Sequence, residues 1–564
     1  MRETGLGRTV ATWVAEHGPK DIRALGQFLE PKLSQLTQPD GMIGRQEAAA
    51  RLVRALREDE RIVVFGDYDC DGITSAAILT QALRKTAELL GLDARRAKSR
   101  IQSLLANRFD GGYGVSSRAV DRVLELDPAL LVTCDCGSSD HDSLHRIVNA
   151  GVEVVVIDHH LVPDKPLPAL AFLNPHRPEC GFEYKGLASC GLVLSVVAAI
   201  RRMLEGHLRG SLDVRQWLDL VAIGTIADVA PLDGDNRCLV RAGLKAVRRA
   251  ERPGLRTLLE RAKVSLDAPL TARDIGFRVA PFINAPGRLG SPDVALKLLL
   301  AESKEEAAAL ADKVYDINLE RRGLQEDTVR EAEEQIAANG YAERTAIVVG
   351  SDAWNPGIVG IAAGRIADKF NKPTIVIAFV GGVGRGSVRG PKGARLHDAL
   401  SLVADVVERF GGHQAAAGLD VDVTRLDELR ERFEQAVVDV HTDADVCHED
   451  ALLTVASSDA PATVLRDLER LEPCGERNRR PRLVLMASVL SAREVGGGHL
   501  KLELEVSGSD QPLSGFAVRM GELAESLAGA AVRCVGDLRY NTFAGRTRAE
   551  FFVEEVSTVS ELSA

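Results

Sequence analysis

The decapeptide Val63-Val64-Phe65-Gly66-Asp67-Tyr68-Asp69-Cys70-Asp71-Gly72 limits what this chain can fold into more than any other stretch. Residues 62–65 are β-branched or aromatic, the pattern of a parallel strand buried on both faces, and they end in carboxylates at alternate positions followed by glycine. Like charges this close repel unless a cation or a hydrogen-bond network holds them, so the cluster points to a hard divalent metal at the carboxyl end of a strand. Open α/β sheets bind their ligands at that edge. The plainer alternative is a solvated turn rich in Asp and Gly, and the rest of the chain has to separate the two.

Between residues 61 and 235 short apolar runs alternate with helical segments, which implies a parallel sheet covered by helices. Strands are expected at 62–65, 130–134 and 152–157, with helices at 75–90 and 116–126. The second strand runs into Asp135 and Gly137, and the third into Asp158-His159-His160. Asp228 follows the apolar residues 218–226. Strand ends of a parallel sheet share one edge, so these distant residues should converge. Carboxylate-rich ligation with one or two imidazoles suits Mn²⁺ or Mg²⁺ better than zinc, and Asp135 is the natural bridge between two ions. Cys134 and Cys136 flank it, and strand alternation would turn both away from Asp135 to pack rather than ligate.

A chain of 564 residues is too long for one core and should hold three or four domains. Its net charge of -11 excludes a uniformly basic coat but leaves room for a local basic channel. Nine cysteines without paired zinc spacing read as reduced thiols, and no run approaches a membrane span, so a cytoplasmic protein that contacts no membrane is expected.

Residues 1–58 look helical and peripheral, and 301–338 form a long polar helix. Arg288 sits among Pro286 and Gly287 as if in a turn. A second α/β unit begins at Thr345, where Arg385, Ser387 and Arg389 interleave with glycines that let a phosphate chain approach; Gly411-Gly412-His413 is another such loop. Alternating runs after residue 450 predict a small antiparallel barrel. Arg477, Arg479, Arg480 and Arg482 stand at its entrance, and Tyr540, Phe543, Arg546 and Arg548 offer stacking and charge in one hairpin.

Asp67-Tyr68-Asp69-Cys70-Asp71-Gly72, Asp135-Cys136-Gly137 and Asp158-His159-His160, in this order, resemble the motifs of the DHH phosphoesterase superfamily. Residues 107–114 (NRFDGGYG), 284–289 (NAPGRL), 386–389 (GSVR) and 411–413 (GGH) narrow the resemblance to its bacterial exonucleases that degrade single-stranded DNA 5′→3′. The resemblance implies an α/β fold, with a parallel-sheet DHH domain (59–300) and a DHH-associated substrate-binding domain (341–445) joined by a connecting helix (301–340), and a C-terminal OB-fold β-barrel (450–564). It implies that Asp69, Asp71, Asp135, His159 and Asp228 ligate two Mn²⁺ or Mg²⁺ ions, with Asp67 and His160 as catalytic supports. Arg108 and Arg288 would contact phosphates near the 5′ end, and Arg385, Ser387, Arg389 and His413 would bind DNA. A monomer acting in recombination and repair follows, with single-stranded DNA-binding protein and a RecQ-type helicase as partners. The rival readings are a DHH hydrolase of short oligonucleotides or nucleotides, and a catalytically dead DNA-binding scaffold. A barrel after residue 450 argues against the first, and the full set of ligand positions against the second.

Overall fold

The computed structural model describes residues 4–413, 416–440, 452–543 and 546–559. Its first sheet is wholly parallel, with strands β1 (Ile62–Gly66), β2 (Ile101–Leu105), β3 (Leu130–Cys134), β4 (Glu153–Ile157) and β5 (Ala171–Leu173) in the order β2-β1-β3-β4-β5. Every residue of β1 and β3 is buried, which is why both read as unbroken apolar runs. Strands β2 and β5 are additions to the sequence reading: Gln102 and Ser103 interrupt one and the other has three residues, too little pattern to stand out.

The ladder continues one residue past three strands. The amide of Asp67 donates to Cys134 O (3.2 Å), that of Asp135 to Ile157 O (3.0 Å) and that of Asp158 to Leu173 O (3.0 Å). Three acids therefore stand side by side on neighbouring strands. Asp135 takes a left-handed φ of 65°, which breaks the alternation of β3. As a result Cys134 packs into the main core and Cys136 into a second core formed by Val63, Phe65, Leu131 and Val156, not on one shared face as alternation predicted. Both thiols are fully buried.

One placement is newly defined and one differs from the sequence reading. Asp228, whose element the sequence left open, reaches the edge from the C-terminal end of the helix Leu218–Ala227. Arg288 lies in the last turn of the helix Ala280–Leu289, which accommodates Pro286, and not in a turn.

The helix Lys304–Ala338 joins the halves of the molecule. Its 35 residues span about 52 Å. Ala307, Ala311 and Val314 pack into the first core, and Ala332 and Ile336 into the second α/β unit. That unit carries β6 (Ile347–Ser351), β7 (Thr374–Val380), β8 (Val383–Arg389), β9 (Arg409–His413) and β10 (Ala416–Asp422) in the order β6-β7-β8-β10-β9. Gly381 and Gly382, both at positive φ, turn β7 back into β8.

The C-terminal sheet closes on itself. Strands β11 (Leu452–Thr454), β12 (Arg482–Val495), β13 (His499–Val506), β14 (Leu513–Ala517), β15 (Ala531–Phe543) and β16 (Arg546–Thr558) follow the order β11-β12-β13-β14-β16-β15, and β12 also pairs with β15. Among the described residues no helix is long and apolar enough to cross a membrane.

The first sixty residues do not form one peripheral segment. The helix Arg45–Arg57 packs on the first sheet's core, whereas the helices Arg8–His17 and Ile22–Leu29 pack on the barrel through Val10, Trp13, Val14 and Leu29. Thr9 N donates to Asp459 Oδ2 at 2.7 Å, and Gly7 N to Asp467 Oδ2 at 2.6 Å. Arg237 locks this junction. It is 4% exposed, stacks on Phe28 at 4.0 Å, and donates to the carbonyls of Phe28, Arg470, Leu471 and Pro473 at 2.9–3.3 Å. Arg237→Ala strands these buried acceptors and is expected to cost about 3 kcal/mol. Urea denaturation and limited proteolysis between residues 440 and 480 will check this; a loss under about 0.5 kcal/mol would contradict the locking role.

Candidate metal centre and nucleic-acid interface

The site is built where the sheet edge meets the ends of three helices. Asp69 caps the helix Cys70–Leu89, its Oδ1 accepting from the amides of Asp71 (3.0 Å) and Gly72 (3.1 Å). Gly72 is required there: a Cβ would lie 2.6 Å from Asp67 N and O. Asp71 in turn receives the N-terminus of the helix Ser189–Met203, with Ser189 N 2.7 Å from Oδ2 and Cys190 N 3.0 Å from Oδ1. Ser189 Oγ also donates to Asp135 Oδ1 at 3.0 Å. Gly224 lets the helix bearing Asp228 come close, since a Cβ there would lie 2.8 Å from Asp71 Oδ1.

Two groups of ligand atoms result, Asp71-His159-Asp228 and Asp135-His159-His160. His159 is common to both. Its Nε2 is buried without a hydrogen bond, 3.2 Å from Asp135 Oδ1 and 3.9 Å from Asp228 Oδ2. A buried nitrogen lone pair facing carboxylates is the environment of a cation ligand. Burial, then mutual repulsion, pushes the carboxyl pKa values of Asp71 and Asp135 up and that of Asp228 to about 8. Burial lowers that of His159, keeping its imidazole neutral as ligation requires. A divalent cation would relieve every one of these costs, so the donor set fits a metal. Asp69 belongs to neither group; its Oδ1 caps the helix, which leaves Oδ2 available, and the buried Asp67 Oδ1 has no hydrogen bond among the described residues.

Asp158 organises the edge, a role the sequence reading did not assign to it. Fully buried, it accepts from the amides of Ser138 (3.0 Å), His159 (2.8 Å) and His160 (3.2 Å), and from His160 Nδ1 (2.8 Å). Burial alone would raise its pKa, yet the bond to His160 holds it well below the usual carboxylate range. Burial likewise opposes charge on His160, and the Asp158 partner still pushes its pKa up to about 9. Tyr113 Oη donates to Asp135 O at 3.0 Å and lies 2.9 Å from His160 Nδ1. The Asp158-His159-His160 triplet held the signal for Asp158; for Ser189 and Cys190 the only one was an unusual pair at a helix start.

Across from the acids stand two arginines with no carboxylate partner among the described residues. The Arg108 guanidinium lies 4.4 Å from the Tyr68 ring and its buried Nε is unpaired. Among the described residues Arg288 donates to Gly357 O alone (3.3 Å), and burial followed by the nearby Arg108 brings its pKa to about 10. Gly357 is forced by this contact, as a Cβ would lie 1.9 Å from Arg288 O. The helix that follows, Val359–Phe370, passes β8, where Gly360 comes within Cβ reach of Ser387 Oγ (3.1 Å) and Arg389 Nη2 (3.4 Å). Arg389 donates to Ser387 Oγ (2.9 Å) and Val388 O (2.7 Å), while Arg385 on the same face of β8 is exposed. His413 pairs with Ala416 in the β9–β10 ladder, and its side chain, like those of Phe543 and Arg546, lies outside the described residues.

The barrel-entrance arginines are more committed than their sequence suggested. Arg480 pairs with Glu472 and Asp537 (both 2.9 Å), and Arg482 with Glu554 and Glu555 (both 2.9 Å).

Three family models match in series: the DHH family N-terminal domain over residues 61–225, the DHHA1 domain over 343–439 and the RecJ OB domain over 453–555. With the acid–histidine site, they define a metal-dependent phosphoesterase of the DHH class. The chain is 32% identical to the single-stranded-DNA-specific exonuclease RecJ of Escherichia coli (strain K12), covering 94% of this chain and 93% of that one. It is 30% identical to the Bacillus subtilis (strain 168) protein of the same name over 98% of this chain and 68% of that one. The crystal structure of Thermus thermophilus RecJ in complex with Mn²⁺ superposes with a TM-score of 0.78 at 31% identity, covering 98% of this chain and 76% of that one. The protein belongs to the RecJ family.

Proposed function

We propose that the protein hydrolyses single-stranded DNA from its 5′ end, releasing 5′-mononucleotides, with a role in recombination and repair. One observation carries the reading: two ligand groups sharing His159 face Arg108 and Arg288, whose guanidiniums have no carboxylate partner, in a chain that also carries an OB barrel. Asp69, Asp71, Asp135, His159 and Asp228 would hold two Mn²⁺ or Mg²⁺ ions, the metals present in the Thermus RecJ crystals. Bound there, the ions supply Lewis-acid stabilisation of charge on the phosphate and lower the pKa of water.

The chain's own groups position the substrate. His160, its Nδ1 fixed on Asp158, would present its other ring nitrogen toward the phosphate being cut. Asp67 orients the ligand cluster from the neighbouring strand. Arg108 and Arg288 bind the 5′-terminal phosphate, and Ser387 and Arg389 with the exposed Arg385 extend that cationic surface across the interdomain groove. His413 is assigned to the same surface by family resemblance. Strand direction follows from a terminal-phosphate pocket placed beside the ligand cluster. We expect a monomer located in the cytoplasm, with single-stranded DNA-binding protein and a RecQ-type helicase as functional partners.

The test is digestion of long single strands carrying a label at the 5′ or the 3′ end, with Mn²⁺, Mg²⁺ or EDTA. Immediate release of labelled mononucleotide from the 5′-labelled strand, only with metal, is expected. Early release from the 3′ end, or cleavage in EDTA, would refute the reading. Preference for a dinucleotide over a long strand would favour the short-oligonucleotide hydrolase instead.

A further inference from the structure

Beside the metal centre, a cleft of about 770 Å³ runs between the first domain, the connecting helix and the barrel. Two anomalies line it. The first is a single turn of π-helix, Ile275–Val279, inserted ahead of the helix bearing Arg288. Ile275 and Val279 point into the core, and the extra residue turns Phe277 outward, 71% exposed, with the Arg273 guanidinium 5.2 Å from its ring. Such π-turns are retained mostly at functional sites. The second is Val229, next to Asp228. It is 67% exposed and held at φ 59°, a left-handed conformation that a β-branched residue adopts only under constraint. The backbone at Gly276 lies against Ile226, so both anomalies belong to one wall. Neither exposed apolar side chain serves folding, and leaving Phe277 in water forgoes its burial.

The charge around this wall is mixed but positive in sum: Glu472, Glu476, Asp537 and Glu554 also line the cleft, and Arg480 and Arg482 already pair with three of these four. Arg288 and Arg321 face the same cleft with their guanidiniums paired only to neutral oxygens: Gly357 O, Asn318 Oδ1 and Gln325 Oε1. Apolar faces flanked by unneutralised arginines match a single strand, whose bases stack and whose phosphates are anionic; a protein partner would not need both. We propose that Phe277, supported by Arg273 and Val229, is a base-stacking platform that grips the strand on the barrel side of the metal centre. This rests on the single-strand nuclease reading. Stacking is indifferent to base identity, so the platform would fix the register of the strand without adding sequence preference.

The test is binding of fluorescein-labelled oligothymidylate in EDTA, where no cleavage competes. Phe277→Ala should weaken binding about tenfold, the loss of one stacked base, and leave the slope of log Kd against log salt unchanged because no phosphate contact is removed. An abasic residue scanned along the strand should weaken the parent protein at one or two positions and have no such effect in Phe277→Ala. Phe277→Trp should bind like the parent, with its indole fluorescence quenched by the strand. Affinity of Phe277→Ala within twofold of the parent, an identical abasic profile in the two proteins, or an unquenched indole in Phe277→Trp would each overturn the platform. Parent protein that binds no oligothymidylate would instead overturn the nuclease reading on which it rests.

Discussion

Asp135→Asn is expected to reduce release of nucleotides from single-stranded DNA about a thousandfold or more, with the protein still folded. Asp135 stands in the row of acids formed by Asp67 and Asp158, contacts Ser189, and touches His159, the residue shared by both ligand groups. The substitution keeps the shape of the side chain and the Ser189 hydroxyl contact while removing the charge. It also removes a carboxylate whose pKa burial, then Asp71, Asp69 and Asp228, force upward. Metal-free Asp135→Asn should therefore melt no lower than the parent, which separates loss of chemistry from loss of fold. Full activity in this variant would eliminate the two-metal site.

The second large effect concerns the protein without metal. The folded pKa values of Asp71, Asp135 and Asp228 all lie above the ordinary 3.8, that of Asp228 at about 8. Between those limits the folded state binds more protons than the unfolded state, so stability falls as pH rises from about 4 to about 8. His160, raised to about 9 despite burial, acts in the same direction from 6.5 upward. His159 and His176, both lowered by burial, oppose them, and only below their ordinary 6.5. In EDTA the protein should melt at a lower temperature at pH 8 than at pH 5. Mn²⁺ should reverse that order by stabilising the pH 8 form, by about 2.7 kcal/mol at a hundredfold excess over its dissociation constant. Equal melting temperatures at the two pH values in EDTA, with no Mn²⁺ effect, would show that the acids are not poised for a cation. Differential scanning fluorimetry reads both.

What the sequence disclosed about the site depended on how each residue is held. Asp67, Asp135 and Asp158 were legible because each follows a strand buried over at least its last four residues, and an apolar run halted by an acid is a strong local pattern. Asp228 was legible as a candidate, but its delivery by a helix was not, because residues 218–226, apart from Asp219 and Thr225, are apolar or glycine and carry no helical period. Ser189 and Cys190 were missed because they hold Asp71 through backbone amides, which leave no mark on residue type, and the Ser189 hydroxyl on Asp135 belongs to a common residue with no motif of its own. The left-handed φ at Asp135 was equally invisible, and it is what sends Cys134 and Cys136 to different cores. Arg288 misled because Pro and Gly in a last helical turn imitate a loop. Phe277 gave no signal, since a π-turn shifts a helical pattern by one residue and a lone exposed phenylalanine is unremarkable in sequence.

The packing of the first two helices on the barrel has a consequence for how the protein is made. Thr9 and Gly7 bond to residues 450 and 460 positions further on. A ribosome adding 5–20 residues per second needs roughly 20–90 s to cover that distance. For that time Val10, Trp13, Val14 and Leu29 have left the exit tunnel and their partners do not yet exist. The nascent chain thus carries an apolar handle while the two α/β units are being made, available to a chaperone. The barrel, which emerges after them, covers that handle when it folds, so its folding is also the signal that these helices are no longer exposed.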